Sequence, residues 1–231
     1  MKINLPTKKP SLEDQGRPLN INPTKQTIFW DVDDVVINSL EVTVDLINEW
    51  YNKPNNLPIK SVSEAKDWKL QAIHKGLTPE QIDYIFRCPE FWAKVQIREG
   101  FNNIIHSPIL NKYNHVFVTK GTLDNLTYKE CFLRTFLGEF YTDHFEYIGL
   151  LDHESKGTIN MSGGIMIDDN MRNLLESNAS IKILITNGIE TCYNNAYGDF
   201  KVTPENLYIV NTLEDIQELL TFNSEHNLLN I

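Results

Sequence analysis

Apolar and polar positions along the chain fall into short blocks that alternate in kind. Thr27-Ile28-Phe29-Trp30 is a β-favouring run that stops at Asp31-Val32-Asp33-Asp34, the pattern of a buried strand with a polar end. Leu40, Val44, Ile47 and Trp50 recur at helical spacing over 39–50, with Ser39 available as a cap. A Pro/Asn-rich break at 53–58 follows. Two further helices are predicted near 63–73 and 79–87, the second opened by Thr78-Pro79-Glu80-Gln81. From about Gly100 the spacing predicts helix 101–111, strand 115–119, helix 123–137, strands 145–148 and 164–168, helix 170–177, strands 181–186 and 207–210, and helix 213–221. Short apolar strands alternating with helices predict an α/β fold, a parallel sheet covered on both faces.

Two stretches stand outside this alternation. Residues 1–26 hold four of the ten prolines and no hydrophobic period, which predicts an extended or disordered leader. About 80 residues separate Asp33 from strand 115–119, whereas a bare crossover needs only about a dozen. The surplus at 38–98 is too long for a loop and predicts a small helical cap inserted after the first strand. The expected division is a leader at 1–26, a core formed by 27–37 and 99–231, and a cap at 38–98.

Four apolar strands end in, or just before, a polar group: Asp31, Thr119, Asp168 and Asn187. Ligands of open α/β sheets bind outside the carboxyl ends of the strands, so these groups are expected at one edge. Asp31 and Asp33 stand at i and i+2, and Asp168-Asp169 ends a second strand. With Asp34 they form a pocket of up to five acids, whose mutual repulsion a hard cation relieves. Oxygen-only donors suit Mg²⁺. Val35 and Val36 interrupt the alternation that a Ca²⁺-binding EF-hand loop needs. A receiver domain also gathers acids, Thr and Lys at strand ends, but in a different order and in roughly 120 residues.

Composition narrows the partners. The 231 residues carry 31 acidic and 21 basic side chains, a net charge of −10, which argues against wrapping a nucleic-acid polymer. Six histidines show no ligand spacing, which disfavours zinc. The three cysteines, Cys88, Cys131 and Cys192, include no C-x-x-C pair, which fits reduced thiols in the cytoplasm. No run approaches the ~18 apolar residues of a membrane span, and the leader lacks a signal peptide's apolar stretch. The expectation is a cytoplasmic protein, monomer or homodimer, without a membrane partner.

The ordered set Ile28-Phe29-Trp30-Asp31-Val32-Asp33, Val116-Phe117-Val118-Thr119, Lys156 and Ile165-Met166-Ile167-Asp168-Asp169 resembles the four motifs of the haloacid-dehalogenase-like phosphohydrolases. Within that superfamily it looks most like the 5'(3')-deoxyribonucleotidases, a similarity that covers about residues 27–187 and includes Pro89-Glu90-Phe91-Trp92.

The resemblance implies a three-layer Rossmann-like core and a Mg²⁺-dependent phosphatase of (deoxy)nucleoside monophosphates. Asp31 is then the nucleophile that forms an aspartyl phosphate, and Asp33 the general acid and base. Mg²⁺ is held by Asp31, the Asp33 carbonyl and Asp168, with Asp169 supporting the metal or its waters. Thr119 and Lys156 bind the phosphate. Two positions depart from the family: Asp34 stands where Gly is usual, and Thr119-Lys120-Gly121 replaces Thr-Ser-Pro. Lys120 either grips phosphate or points to solvent. Phe91 and Trp92 are expected to stack on the base, with packing inside the cap as the alternative fate; for Trp68 packing is favoured. Two other functions fit the same residues: a phosphatase of another small metabolite, and a non-catalytic nucleotide-binding or scaffold protein.

Overall fold

The computed structural model describes residues 21–65, 70–188 and 206–226. Six strands form one parallel sheet: β1 (Thr27–Trp30), β2 (Asn114–Gly121), β3 (Phe145–Leu151), β4 (Ile165–Asp168), β5 (Ile181–Ile185) and β6 (Leu207–Val210), in the order β3-β2-β1-β4-β5-β6. The order reverses at β1, which makes the carboxyl end of β1 the switch point where an α/β sheet opens a crevice.

Near-continuous apolar runs suit strands buried on both faces, because alternate side chains enter opposite layers. Ile28, Trp30, Phe117, Ile165, Ile167, Ile181 and Ile183 join one apolar cluster. Phe29, Val116, Val118, Ile148, Met166 and Leu184 join the other. The first layer is completed by residues of α4 (Glu99–Ile105), α5 (Ile109–Lys112), α6 (Leu123–Leu137), α7 (Glu139–His144) and α9 (Leu213–His226). The second is completed by α8 (Met171–Glu176) with Ile159 and Met161.

Between β1 and β2 the chain forms α1 (Ser39–Ile47), continued by a π-type turn through Asn52, then α2 (Pro79–Arg87) and α3 (Pro89–Lys94). Its two ends run side by side: Ile37 pairs antiparallel with Ile97, and the Arg98 N–H donates to the Val36 carbonyl at 2.9 Å. Thr78 caps α2 in a reciprocal box with Gln81, as its sequence signature predicts.

Several expectations change. Ser39 is the first helical residue of α1 rather than its cap; the Leu40 N–H is capped instead by Asp34 Oδ1 at 2.8 Å. The predicted helix 63–73 reduces, among the described residues, to a 3₁₀ turn at Val62–Glu64 and turns at 71–76, because Ala65 leaves the helical region and Leu70 takes a positive φ. Helix 101–111 splits into α4 and α5 at Pro108, which lacks an N–H and restrains Ser107 before it. Helices α3 and α7 were not expected. Of the leader, residues 1–20 lie outside the described residues. Asn22 is docked, exchanging hydrogen bonds with the Asn114 side chain at 2.9 and 2.8 Å.

Trp30, which carries the site-bearing strand, is anchored by its own heteroatom. Its Nε1–H donates to His115 Nδ1 at 3.1 Å. Indole is a donor only, so the histidine proton sits on Nε2 and is donated to the Leu110 carbonyl at 3.2 Å. Burial lowers the His115 pKa from 6.5 to about 4, against the upward pull of the Leu110 carbonyl. Below pH 6.5 the unfolded chain takes up a proton that the native chain refuses until about pH 4, so this contribution is complete above 6.5 and lost as pH falls. Urea unfolding of wild type and His115→Gln at pH 7 and pH 5 checks this. The stability difference between them is expected to shrink by about 2 kcal/mol at the lower pH.

Candidate active site

Trp30 is in register with Ile167, which sets Asp31 level with Asp168; the Asp31 N–H donates to the Ile167 carbonyl at 2.9 Å. Between these two strand ends lies the Lys156 ammonium, 2.8 Å from Asp31 Oδ1 and 2.7 Å from Asp168 Oδ2, and 1% exposed. Lys156 opens a 3₁₀ turn capped by Ser155, whose hydroxyl accepts from the Gly157 N–H and donates to Glu176 Oε2 at 2.6 Å. A Cβ at Gly157 would stand 2.3 Å from the Glu176 carbonyl oxygen, so this close approach needs glycine.

Burial raises the Asp31 pKa to about 7; Lys156 pulls it down while Asp168 and Asp33 push it up. Burial also raises Asp169 well above the usual carboxylate range, reinforced by Asp168, Asp34 and Asp31. Burial opposes the charge on Lys156, but Asp168 and Asp31 outweigh it and hold the ammonium protonated. Asp34 takes φ +56°, the left-handed conformation that favours glycine and that Asp tolerates better than most residues. Burial lifts its pKa to about 6, and Arg98, 3.6 Å away, moderates the rise. Its carbonyl accepts from Asn187 Nδ2 at 2.7 Å, which brings a third strand end to the same place. Counted as fully ionised, Asp31, Asp33, Asp34, Asp168 and Asp169 outnumber Lys129, Lys156 and Arg98 by two, a formal surplus that the raised pKa values of Asp31, Asp34 and Asp169 reflect.

That surplus equals the charge of one divalent cation. Carboxylate oxygens of Asp31, Asp168 and Asp169 lie within 4.8 Å of one another, an all-oxygen donor set suited to a hard cation such as Mg²⁺. The three do not offer equal access. Asp168 is heavily engaged, with Oδ2 on Lys156 and Oδ1 accepting from the Asn170 N–H at 2.8 Å and Asn173 Nδ2 at 3.1 Å. Asp169 lines the cavity and accepts no hydrogen bond among the described residues. The expected ranking, Asp168 as ligand and Asp169 in support, is therefore reversed in availability.

Thr119, in β2, is fully buried and does not line the cavity; its hydroxyl accepts from Lys129 Nζ at 2.9 Å. Lys120, half-buried, lines the cavity with Gly121 and Thr122, the cap of α6. Lys129 is the residue that sequence reasoning missed. It is 2% exposed and bonds Asp33 as well as Thr119. The available signal was its position: three residues from both Leu126 and Phe132, it falls on the buried stripe of α6.

The cavity has a volume of about 380 Å³ and is bounded by Asp31, Asp33, Lys156 and Asp169 on the sheet side. Its opposite wall is α2, through Pro79, Ile82, Asp83 and Phe86. The expected aromatic pair is elsewhere. Phe91 is wholly buried against Phe86 and Trp92, while Trp92 stacks on Tyr128 and donates its Nε1–H to the Phe86 carbonyl at 3.0 Å. Trp92 packs the insert onto α6, and Phe91 packs inside the insert between Phe86 and Trp92. Trp68 lies outside the described residues.

No known family model matches the chain, and no curated protein matches it in sequence. Solved structures do match in fold. A haloacid-dehalogenase-like hydrolase from Streptococcus pneumoniae aligns over 84% of this chain and 98% of its own, with 15% identity and a TM-score of 0.57. A predicted phosphatase from Clostridium acetobutylicum aligns over 86% and 99%, with 17% identity and a TM-score of 0.57. A predicted phosphoglycolate phosphatase from Haemophilus somnus aligns over 84% and 97%, with 16% identity and a TM-score of 0.52. The fold is therefore the Rossmann-like α/β fold of haloacid-dehalogenase-like hydrolases. None of these three is described as a nucleotidase.

The two aspartates separate in a thermal-shift titration. Mg²⁺ at a hundredfold excess over its Kd is expected to stabilise the wild type by about 2.7 kcal/mol. Asp169→Asn is expected to abolish this rise and keep its fold. Asp168→Asn is expected to lower Tm without any metal, because it strips Lys156 of a buried partner.

Proposed function

We propose that the chain is a phosphomonoester hydrolase that works through an aspartyl phosphate on Asp31, with a (deoxy)nucleoside monophosphate as substrate. The observation that carries the reading is the Lys156 ammonium wedged between Asp31 and Asp168 at the cavity floor. This aims an oriented nucleophile at a space already furnished with positive charge.

Lys156 has two carboxylate partners and three N–H bonds, so one N–H remains for a phosphate oxygen. Lys120, Gly121 and Thr122, at the amino end of the 15-residue helix α6, offer a second cradle for the anion. Thr119 supports this cradle from beneath. Asp31 Oδ2, the oxygen not engaged by Lys156, attacks phosphorus, and Asp33 delivers a proton to the departing alkoxide. Asp33 then removes a proton from the water that cleaves the acyl phosphate. Asp31, Asp168 and Asp169 would hold a divalent cation, with the Asp33 carbonyl as a further candidate, and such a cation would neutralise charge between nucleophile and phosphate dianion.

The cavity stands at the small end of the roughly 300–1,000 Å³ range of ligand sites. Phe86 and Ile82 give one side of it an apolar wall against which a base can stack, and Asn125 offers a polar edge. The same small volume, with the phosphoglycolate phosphatase among the similar folds, favours a second reading in which the substrate is a smaller phosphometabolite.

Phosphate release from dTMP, dUMP, dGMP, their ribose counterparts and 2-phosphoglycolate, with and without Mg²⁺, separates the two. Nucleotide turnover that Asp31→Asn reduces by roughly 10⁴-fold or more supports the proposal. Phe86→Ala is then expected to raise KM for nucleotides about tenfold with little change in kcat, the signature of lost uniform binding. Turnover of phosphoglycolate alone removes the nucleotide part.

A further inference from the structure

Lys129 is the second fully buried lysine at the cavity, and its surroundings differ from those of Lys156. An ammonium has three N–H bonds. Lys129 directs all three at the chain itself: one to Asp33 Oδ2, one to Thr119 Oγ1 at 2.9 Å and one to the Lys120 carbonyl at 2.8 Å. No N–H is left for a substrate phosphate. The Asp33 carboxylate, in turn, has no other holder. Its Oδ1 is buried without a partner, and among the described residues Lys129 is the one group bonded to Oδ2.

The three acceptors come from two separate strand ends. Asp33 follows β1, while Thr119 and Lys120 close β2. Lys129 reaches both from the middle of α6, so a single ammonium sets the Asp33 carboxylate at a fixed place relative to the anion cradle. Burying a lysine at 2% exposure is costly unless it is paired, and the pairing here is complete.

We propose that Lys129 is a positioning residue for proton transfer: it orients Asp33 and takes no part in binding phosphate. The inference rests on the hydrolase reading of the site. In the first step the Asp31–phosphorus bond forms and the bond to the leaving oxygen breaks; an alkoxide takes the Asp33 proton, whereas p-nitrophenolate leaves unprotonated and Asp33 yields its proton to solvent before the second step. In the second, water oxygen bonds to phosphorus, the acyl phosphate breaks, and the water proton passes to Asp33. An Asp33 without its anchor therefore fails in the second step even where the first is untouched.

The test is rapid-mixing kinetics of wild type and Lys129→Met on p-nitrophenyl phosphate with Mg²⁺. The variant is expected to release the first equivalent of p-nitrophenolate within threefold of the wild-type rate. Its turnover is then expected to slow by roughly 100-fold, the lower end of what a placed acid or base supplies. KM falls together with turnover, as it must when breakdown of the acyl phosphate becomes limiting, and phosphate accumulates on Asp31, read by intact-protein mass. A first-turnover rate that falls with turnover, or a tenfold rise in KM, shows that Lys129 binds phosphate and overturns the inference; unchanged turnover overturns it too. If Lys129→Met does not fold, Lys129→Gln carries the same test with an amide donor in place. A wild type without turnover of this ester defeats the hydrolase reading itself, and the inference with it.

Discussion

The pairing of the Lys156 ammonium with Asp31 and Asp168 is the contact on which the rest of the site depends. Burial and the neighbouring Asp168 and Asp33 drive Asp31 toward protonation, and the Lys156 ammonium opposes both. Placed between Asp31 and Asp168, one cation from a third segment joins the ends of β1 and β4 and leaves Asp31 at the cavity. The turn that delivers it depends in turn on Gly157 lying against the Glu176 carbonyl. A backbone approach, a buried ion pair and the orientation of Asp31 are thus one constraint.

A second cation repeats the device one strand over, where Lys129 joins the ends of β1 and β2. The two lysines divide the work by counting hydrogens. Among the described residues, Lys156 has two acceptors and one N–H left over, and Lys129 has three acceptors and none left over. Lysine identity alone says nothing about such a division; the number of acceptors around each head group decides it.

Much of this was legible in the sequence. Strands that run apolar and stop at Asp31, Thr119, Asp168 and Asn187 carry their own register, since a parallel sheet brings such ends to one edge. The order of the motifs added Lys156, which no local pattern would have singled out. What failed depended on tertiary direction. Phe91 and Trp92 are aromatics in the insert, but which way α3 turns them is fixed by packing inside the insert and against α6, and the cavity wall came from Phe86 instead. Lys129 was hidden for a related reason: on a helix the buried stripe reads as apolar, and a lysine in it passes for a surface residue. Asp168 and Asp169 are neighbours in the chain, and only the Asn170 and Asn173 donors distinguish the engaged carboxylate from the open one.

The antiparallel pairing of Ile37 with Ile97 has a consequence for how such a chain diversifies. The residues between them leave and rejoin the sheet at adjacent, hydrogen-bonded points. Topologically the insert is a long hairpin loop, closed at a neck that precedes its first helix and follows its last. The entropy of closing that loop grows only slowly with its length, so the content above the neck is exchangeable at little cost to the sheet below. The α2 wall of the cavity therefore lies in the part that can be exchanged, and the charged floor lies on the sheet beneath it.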